Sequence, residues 1–207
     1  MTSPISSPRT SESSMAVARA LDVLISGCCL VVFAPLFLLC WWLIRREDGG
    51  PAIFRQERVG KGGKVFFIYK FRTMRLDAES QGPQLSPVKE RDDRLLRIGV
   101  FLRDHHLDEL PQLWNVFIGD MAFVGPRPER PYYIEQIMKH DPRYELLYQV
   151  RPGVTSYATL YNGYTDTMEK MLRRLELDLY YLEHRSLSLN LKILWLTFFR
   201  IVSGRVF

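Results

Sequence analysis

Soft metal ligands and covalent cross-links are scarce in this sequence. It has three cysteines and four histidines in 207 residues, and Cys28, Cys29 and Cys40 all fall within one apolar stretch. These cysteines provide neither a disulfide framework nor the paired C-x-x-C spacing of a zinc site. The sequence therefore predicts a reducing compartment and, if a metal is bound, one held by oxygen ligands.

Charge is missing from one long segment. About 22 residues from Val23 to Ile44 carry no charged side chain, and a helix of that length, at about 1.5 Å per residue, reaches across a hydrocarbon layer of roughly 30 Å. The run is too long for the core of a signal peptide, and WWLIRRED follows it instead of a small-residue cleavage site. The segment is expected to remain in the protein and to enter a membrane.

The flanking charges do not assign the two ends of this segment to opposite sides. Arg19 precedes it, and Arg45 and Arg46 follow it, so the positive-inside bias is the same at both ends. Pro35 lies near the middle, where it removes an N–H donor and bends a helix. We predict a re-entrant helix broken at Ala34-Pro35; a kinked spanning helix is the alternative.

The rest of the chain divides into a tail and a domain. Residues 1–14 are rich in Ser, Thr and Pro and predict a disordered tail, 15–46 the membrane helix, and 47–207 a cytoplasmic catalytic domain. Two apolar-aromatic runs around the turn at 60–63 predict a β-hairpin. Residues 77–93 predict a loop, either a lid or a plain surface excursion.

Helical periodicity dominates the remainder of the sequence. Apolar residues recur at i, i+3, i+4 and i+7, most clearly in TMEKMLRRLELDLYYLEHR. The last stretch, SLSLNLKILWLTFFRIVSGRVF, fits an amphipathic helix lying in a membrane interface as well as it fits a core helix. The predicted fold class is mainly α with a small β-hairpin, in a membrane-embedded monotopic domain.

Two adjacent carboxylates form the centre of the densest polar motif, RDHHLDELPQLWNVFIGDMAFVGPRP. Asp108 precedes a helical run with Pro111 in its first turn, so it is either the N-cap or an ionised nucleophile beside the positive end of a helix. Glu109 projects about 100° away around the helix. It either complements the helix dipole or binds a divalent ion such as Mg²⁺.

Arginines, rather than lysines, dominate the cationic positions around this motif. A guanidinium holds phosphate in a bidentate manner, although a solvated surface is the default environment for any one arginine. Arg127 is the exception, because Pro126 and Pro128 restrict the backbone on both sides of it. Adjacent His105 and His106 point apart and are interpreted as structural. The full set is Arg94, Arg97, Arg103, Arg127 and Arg151.

A balance of 28 Lys and Arg against 23 Asp and Glu gives a formal charge of +5. This favours anionic partners, which include phospholipid headgroups, phosphorylated substrates and nucleic acid. Charge alone does not choose among the three.

Taken together, these residues resemble the small monotopic phosphoglycosyl transferases of the bacterial sugar transferase family. The resemblance extends from Ala18 to Phe199. It rests on Arg19 and Asp22 at the start of a proline-broken helix and on the motifs IFRQERVG, IYKFRTM, LRIGVFLR, LDELPQLWNVFIGDMAFVGPRPE, VRPGVT and LELDLYYL.

The resemblance implies an enzyme of the bacterial inner membrane with its catalytic domain on the cytoplasmic face. It would transfer a sugar 1-phosphate from a UDP-sugar to undecaprenyl phosphate through a covalent intermediate on Asp108, releasing UMP. Glu109 would bind Mg²⁺. The substrate-binding residues implied by matching motifs are Arg103 and Arg127 and, with weaker matches, Lys70, Arg72 and Arg151.

The sequence departs from the family pattern at three places. Ala34-Pro35 stands where Ser-Pro is common, His105-His106 replaces a Thr-Ser-like pair, and TSYATLYNG replaces a TGWAQVNG-like stretch. The partners expected are the donor, the acceptor and membrane lipid, with no nucleic acid. The competing hypotheses are a non-enzymatic membrane-anchored module that binds anionic lipid or nucleic acid, and a phosphohydrolase that uses the same two carboxylates.

Overall fold

A computed structural model describes residues 12–78, 92–163 and 165–203. Most of the predicted tail and most of the predicted loop over 77–93 lie outside these residues. Helix α1 begins at Glu12, within the segment predicted as tail.

The described residues are mainly helical, and the predicted hairpin is confirmed. Its strands are β1 (Ile53–Val59) and β2 (Val65–Phe71), which pair antiparallel. Two shorter strands, β3 (Ala122–Val124) and β4 (Gly153–Thr155), pair in parallel and were not predicted. The α-helices are α1 (Glu12–Val32), α2 (Ala34–Asp48), α3 (Arg97–Asp104), α4 (Gln112–Ile118), α5 (Pro131–His140), α6 (Tyr157–Asn162), α7 (Met168–His184) and α8 (Leu187–Val202).

The apolar segment is broken between α1 and α2. Phe33 alone separates the two helices, and Pro35 falls in the first turn of α2, where a missing N–H is tolerated. The break therefore lies just before the predicted Ala34-Pro35. Within the described residues, one helical stretch, Ser13–Val32, is long and apolar enough to cross a membrane.

Both arms of this broken helix dock on the same domain. The Arg19 guanidinium of α1 donates to the backbone oxygens of Val116 and Phe117 at 2.6 and 2.8 Å. At the far end of α2, the Glu47 carboxylate accepts from the backbone N–H groups of Arg97 and Ile98 at 2.7 and 3.0 Å. The second contact caps the N-terminus of α3, so each arm is tied to a helix that flanks the candidate site.

The outer edge of β2 is closed by a side chain instead of a third strand. Asn115, fully buried on α4, donates from Nδ2 to the Phe67 oxygen at 2.7 Å and accepts the Tyr69 N–H at 3.0 Å. This arrangement satisfies two backbone groups that water would otherwise have to reach. It also fixes α4 against the segment of β2 that carries Lys70.

The parallel pair β3 and β4 brings two proline turns together. The Gly125 N–H donates to the backbone oxygen of Thr155, and the Gly153 N–H donates to the backbone oxygen of Pro126. A Cβ atom on Gly125 would lie 2.3 Å from the Arg151 oxygen, and one on Gly153 would lie 2.1 Å from the Gly125 nitrogen. Only glycine permits this approach, which positions the Gly125–Pro128 turn.

The largest core cluster lies behind this turn. Leu175, Leu179 and Leu182 of α7 pack with α5 and with the 3₁₀ helix Pro142–Gln149, which confirms the amphipathic helix predicted there. In contrast, Ile193 is the only described residue of α8 that is buried, and it packs with Val124, Leu160 and Tyr181. One side of α8 thus lies on the domain, and both alternatives for the last stretch stay open. Its exposed residues include Trp195 and Phe198.

Candidate active site

The two carboxylates lie in a 3₁₀ turn, Leu107–Glu109, between α3 and α4. The turn begins after His106, the one non-glycine residue among those described with a positive φ, 53°. Pro111, and not Asp108, occupies the N-cap position of α4. The N-cap alternative for Asp108 is therefore wrong.

Glu109 faces two cations. Its Oε1 lies 2.6 Å from Nζ of Lys70 and 3.7 Å from a guanidinium nitrogen of Arg127. Burial on its own would raise the pKa of Glu109, but the two cations outweigh burial and lower that pKa to about 2. Glu109 is consequently ionised across the physiological range.

For Asp108, burial outweighs the neighbouring cations, which is the reverse of the result for Glu109. Burial raises its pKa, and the Glu109 charge adds to that effect, whereas the charges of Lys70 and Arg103 oppose it. We expected a helix N-terminus to hold Asp108 ionised; among the side chains around it, Lys70 and Arg103 favour the ionised form. Adjacent carboxylates with pKa values pushed apart can play different chemical roles.

Three separate elements deliver the cations. Lys70 comes from β2, Arg103 from the last turn of α3, and Arg127 from the turn after β3. Nε of Arg103 donates to Oγ1 of Thr73 at 3.0 Å. The predicted residues Asp108, Glu109, Lys70, Arg103 and Arg127 are thus brought together, and their cations outnumber their carboxylates by three to two.

Arg72 is directed elsewhere, contrary to the prediction that it binds substrate. It is 4% exposed, and its guanidinium forms a bidentate pair with Asp48 at 2.5 and 2.6 Å. It also donates to the backbone oxygens of Pro51 and Met74. These bonds tie the end of α2 to β2, which is a structural role.

Arg151 is also placed outside the group around Asp108. Its Nε donates to the Gly119 oxygen at the end of α4, at 2.9 Å. Arg19 and Asp22 of α1 and Arg185 lie within electrostatic range of it. Arg151 thus belongs to the junction between α1, α4 and β3.

Asp178 is a site-supporting residue that the sequence analysis missed. The backbone N–H groups of Ala158 and Arg127 donate to its carboxyl group, and burial raises its pKa to about 8. It therefore holds the backbone of Arg127 in place from α7. The signal was an acid inside the apolar stripe of LELDLYYL, between Leu175 and Leu179, where solvent is not expected.

A second missed group lies beside Asp178. Glu129 pairs with Arg58 of β1 and with Arg174 of α7, all three with side chains at most 15% exposed. Partners so far apart in sequence leave no local pattern to detect. This pairing joins the hairpin, the Gly125–Pro128 turn and α7.

The two histidines differ in their surroundings. The His105 ring lies 4.2 Å from the Phe101 ring, and its Nδ1 lies 2.9 Å from the Phe101 oxygen, which agrees with a structural role. His106 lies within electrostatic range of both Asp108 and Glu109.

A magnesium ion fits the chemistry of this turn with few protein ligands. No group of three or more His, Cys, Asp or Glu side chains converges among the described residues. An ion here would take at most the two hard carboxylates and complete its shell with water and phosphate oxygens, which is how Mg²⁺ binds in phosphoryl-transfer sites.

Comparison with known proteins gives a consistent match. The sequence model described as "Bacterial sugar transferase" matches residues 13–204. The chain is 42% identical over 177 residues to a UDP-glucose:undecaprenyl-phosphate glucose-1-phosphate transferase of Caulobacter vibrioides, covering 84% of this chain and 66% of that protein.

Two further relatives differ in length. A UDP-N-acetylgalactosamine-undecaprenyl-phosphate N-acetylgalactosaminephosphotransferase of Aeromonas hydrophila is 37% identical over 188 residues, which is 91% of this chain and 44% of that protein. Exopolysaccharide production protein PSS of Rhizobium leguminosarum is 37% identical over 186 residues, covering 87% and 92%. The chain thus spans 44% and 66% of the first two relatives' lengths.

Proposed function

The chain belongs to the bacterial sugar transferase family, and we propose that it transfers a sugar 1-phosphate from a UDP-sugar to undecaprenyl phosphate. The observation that carries the proposal is the adjacent pair Asp108 and Glu109, with raised and lowered pKa values, surrounded by Lys70, Arg103 and Arg127. Related proteins named for this reaction use either glucose or N-acetylgalactosamine.

Asp108 is the nucleophile in this proposal. One of its carboxylate oxygens attacks the sugar-linked phosphorus of the donor, and the bond from that phosphorus to the bridging oxygen breaks. The electron pair leaves with UMP, and the sugar phosphate remains esterified to Asp108. No proton has to be transferred, because both the attacking and the leaving groups are anionic.

The second step returns Asp108 to its starting state. A phosphate oxygen of undecaprenyl phosphate attacks the same phosphorus, and the bond to Asp108 breaks. The product is a lipid-linked diphosphate sugar, and the overall kinetics are of the ping-pong type.

The surrounding cations stabilise charge during both steps. Arg103 and Arg127 bind the donor phosphates, and Lys70 both holds Glu109 and adds positive charge near Asp108. A bound Mg²⁺, held through Glu109, would supply further neutralisation of the phosphate oxygens.

The apolar broken helix gives the enzyme access to its lipid substrate. Its arm from Arg19 to the break is about 20 Å long, shorter than a hydrocarbon layer of roughly 30 Å. Both arms dock on one domain, and the residues next to the break are exposed, with Val31 at 76% and Leu38 at 68%. We therefore propose a re-entrant helix in the bacterial inner membrane, with the catalytic domain on the cytoplasmic face.

Aromatic and cationic residues mark the level of the membrane surface in this arrangement. The guanidinium of Arg45 lies 5.2 Å from the centre of the Trp41 ring, and that of Arg46 lies 4.9 Å from the Trp42 ring. Such pairs suit the headgroup region, where an apolar body meets water. The active-site turn packs through Leu107 and Leu110 against the cluster that contains Cys40 and Ile44 of α2, which supports a proposal that the acceptor headgroup meets the turn at this level.

The nucleophile is tested with Asp108→Asn, with Asp104→Asn as the matched control because Asp104 is an exposed acid at the end of the preceding helix. Purified, folded Asp108→Asn protein is expected to lose UMP release from a UDP-sugar, whereas Asp104→Asn retains it. Intact-mass spectrometry of the wild type with donor and no acceptor is expected to show one added sugar phosphate. Normal UMP release by the Asp108 variant would refute the mechanism.

The same assay separates the competing functions. A phosphohydrolase would release free sugar phosphate without any lipid acceptor, and a non-enzymatic binding module would release no UMP at all. A panel of UDP-sugars, scored by UMP release, identifies the donor.

Topology is tested by single-cysteine labelling after replacement of Cys28, Cys29 and Cys40. Positions before Arg19 and after Arg46 are expected to react from the same side of the membrane. Reaction from opposite sides would establish a spanning helix instead.

A further inference from the structure

Thr73 lies just after β2 and has no role in the chemistry described above. It is 7% exposed, and its Oγ1 accepts the Nε–H of Arg103 at 3.0 Å across 30 residues of sequence. The bond joins the segment that follows β2 to the last turn of α3. It is therefore in a position to fix the direction of the Arg103 side chain.

The backbone of Thr73 is itself fixed against α3. Its carbonyl oxygen accepts the Leu96 N–H at 2.9 Å, and a Cβ atom on Gly99 would lie 2.1 Å from the same oxygen. Helix α3 thus lies directly on the Thr73 backbone, which glycine permits. Arg103 follows Gly99 by four residues, so the two lie on the same face of the helix. The hydroxyl of Thr73 is consequently held close to the Arg103 side chain.

Most of the Arg103 guanidinium is left for a ligand. Among the residues that the structure describes, the bond from Nε to Thr73 is the hydrogen bond that this side chain forms, and its two Nη groups form none. Arg103 lies within electrostatic range of Asp108. A guanidinium binds phosphate through two parallel N–H groups. With Nε engaged by Thr73, the edge formed by the two Nη groups is available to a phosphate.

The neighbouring Arg72 shows the opposite arrangement. Its guanidinium donates to both carboxylate oxygens of Asp48 and to two backbone oxygens, so its charge is neutralised and its N–H groups are occupied. The partner of Arg103 is instead a neutral hydroxyl. Such a partner restrains a guanidinium without cancelling the charge that a phosphate needs.

We propose that Thr73 is a positioning residue for the transfer reaction: its hydroxyl holds Arg103 by Nε and turns the Nη edge of the guanidinium towards the donor phosphates at Asp108. The inference rests on the proposed function, because it assumes that Arg103 binds those phosphates. Loss of a hydrogen bond to a charged group is expected to weaken the interaction about 10-fold to 150-fold. Thr73 touches no reacting atom in this proposal, so its whole effect passes through Arg103.

The test is a double-mutant cycle of Thr73→Val and Arg103→Ala in the full chain in detergent. The measured quantity is kcat/KM for the UDP-sugar, which in ping-pong kinetics reports the first half-reaction. Valine keeps the branched shape of threonine and removes the hydroxyl. We expect Thr73→Val to lower kcat/KM about tenfold or more in the wild-type background and less than about twofold when Arg103 is already alanine. Thr73→Ser keeps the hydroxyl and should remain within about threefold of wild type.

Thr197→Val is the matched control. The Thr197 hydroxyl also makes one side-chain hydrogen bond, to Thr155 at 2.9 Å, but Thr197 lies on α8, to which none of the site residues belongs. This variant should leave kcat/KM within about twofold of wild type. The same proteins are titrated with inorganic pyrophosphate, whose binding requires no turnover. Thr73→Val should raise the Kd for pyrophosphate, and it should raise it no further in Arg103→Ala protein.

Three results would overturn the inference. The first is unchanged kcat/KM and pyrophosphate binding in folded Thr73→Val protein. The second is an equal loss with and without the Arg103 side chain, which would mean that Thr73 acts on its own or through the strand. The third is a loss in Thr73→Ser as large as in Thr73→Val, which would assign the effect to packing instead of the hydroxyl.

If Thr73→Val does not unfold cooperatively, Thr73→Ala removes the same hydroxyl and carries the same expectation. Failure of the proposed function is recognised separately, because wild-type protein would then release no UMP from any UDP-sugar. The pyrophosphate titrations would still report whether Thr73 acts through Arg103.

Discussion

Replacing Asn115 by alanine removes the side chain that closes the outer edge of β2. The carboxamide bridges the Phe67 oxygen and the Tyr69 N–H, and Tyr69 directly precedes Lys70 on the strand. Alanine leaves both backbone groups buried without these bonds. The strand that holds Lys70 against Glu109 then loses its connection to α4.

The loss of stability in Asn115→Ala follows from the two hydrogen bonds that the carboxamide makes to β2. A buried donor or acceptor left without a partner costs about 1–3 kcal/mol, so the pair predicts a loss of about 2–6 kcal/mol in the free energy of unfolding. Natural domains are stable by about 5–15 kcal/mol. For a chain of this size, the loss corresponds to a drop in Tm on the order of 10 °C.

The measurement is thermal unfolding in detergent, followed by circular dichroism, with UMP release as the second readout. Asn190→Ala is the matched control, because the Asn190 carboxamide accepts one bond, from the Tyr181 hydroxyl at 2.8 Å. We expect Asn115→Ala to lose at least twice as much stability as the control and to lose activity well below its Tm. Equal and small losses in both variants would show that water replaces the carboxamide and would refute the reasoning.

Three further predictions concern stability. Because the pKa of Asp178 is raised from 3.8 to about 8, the folded protein binds one proton more than the unfolded chain between those values, and its free energy of unfolding falls as pH rises through that window. Asp178→Asn should flatten the decline in Tm from pH 5 to pH 8, and parallel profiles would count against a neutral Asp178. Arg72→Lys should cost about 1–3 kcal/mol, because lysine cannot keep the bidentate pair with Asp48 and both carbonyl bonds, but it should leave the donor KM unchanged; a raised KM at normal Tm would return Arg72 to the substrate site. Gly99→Ala would place a Cβ 2.1 Å from the Thr73 oxygen and should lower stability by about 1–3 kcal/mol, so a Tm within 1–2 °C of wild type would argue against this close packing.

Local sequence patterns identified the elements whose structure is set by neighbours along the chain. The β-hairpin was predicted because strand-forming runs flank the turn at 60–63, where Gly62 and Gly63 both adopt φ near +71°. Helix α7 was predicted because its apolar stripe repeats with the helical period. Parallel pairing of β3 with β4 was not predicted, because three-residue strands about 30 residues apart carry no periodic signal of their own.

In the candidate site, too, local motifs were visible in the sequence and distant contacts were not. The adjacent carboxylates and the rigid position of Arg127 were visible in one motif, whereas the roles of the cations were decided by distant contacts. Lys70 reaches Glu109 across 39 residues, and Arg72, two residues further along, turns to Asp48 instead. The sequence motif KFRTM does not distinguish the two residues, because each side chain's role depends on the buried partner it meets.

The sequence by itself determined that this protein has an apolar helix broken near Pro35, an amphipathic helical domain and an acidic pair among arginines, because these properties are fixed by composition and by short-range periodicity. Only the tertiary structure decided which carboxylate has a raised pKa and which a lowered one, which cations face them, and that Asn115 and Asp178 support the site. Those outcomes depend on burial and on hydrogen bonds between residues far apart in the chain, and a pKa or an orphaned backbone group is defined only once those residues have come together.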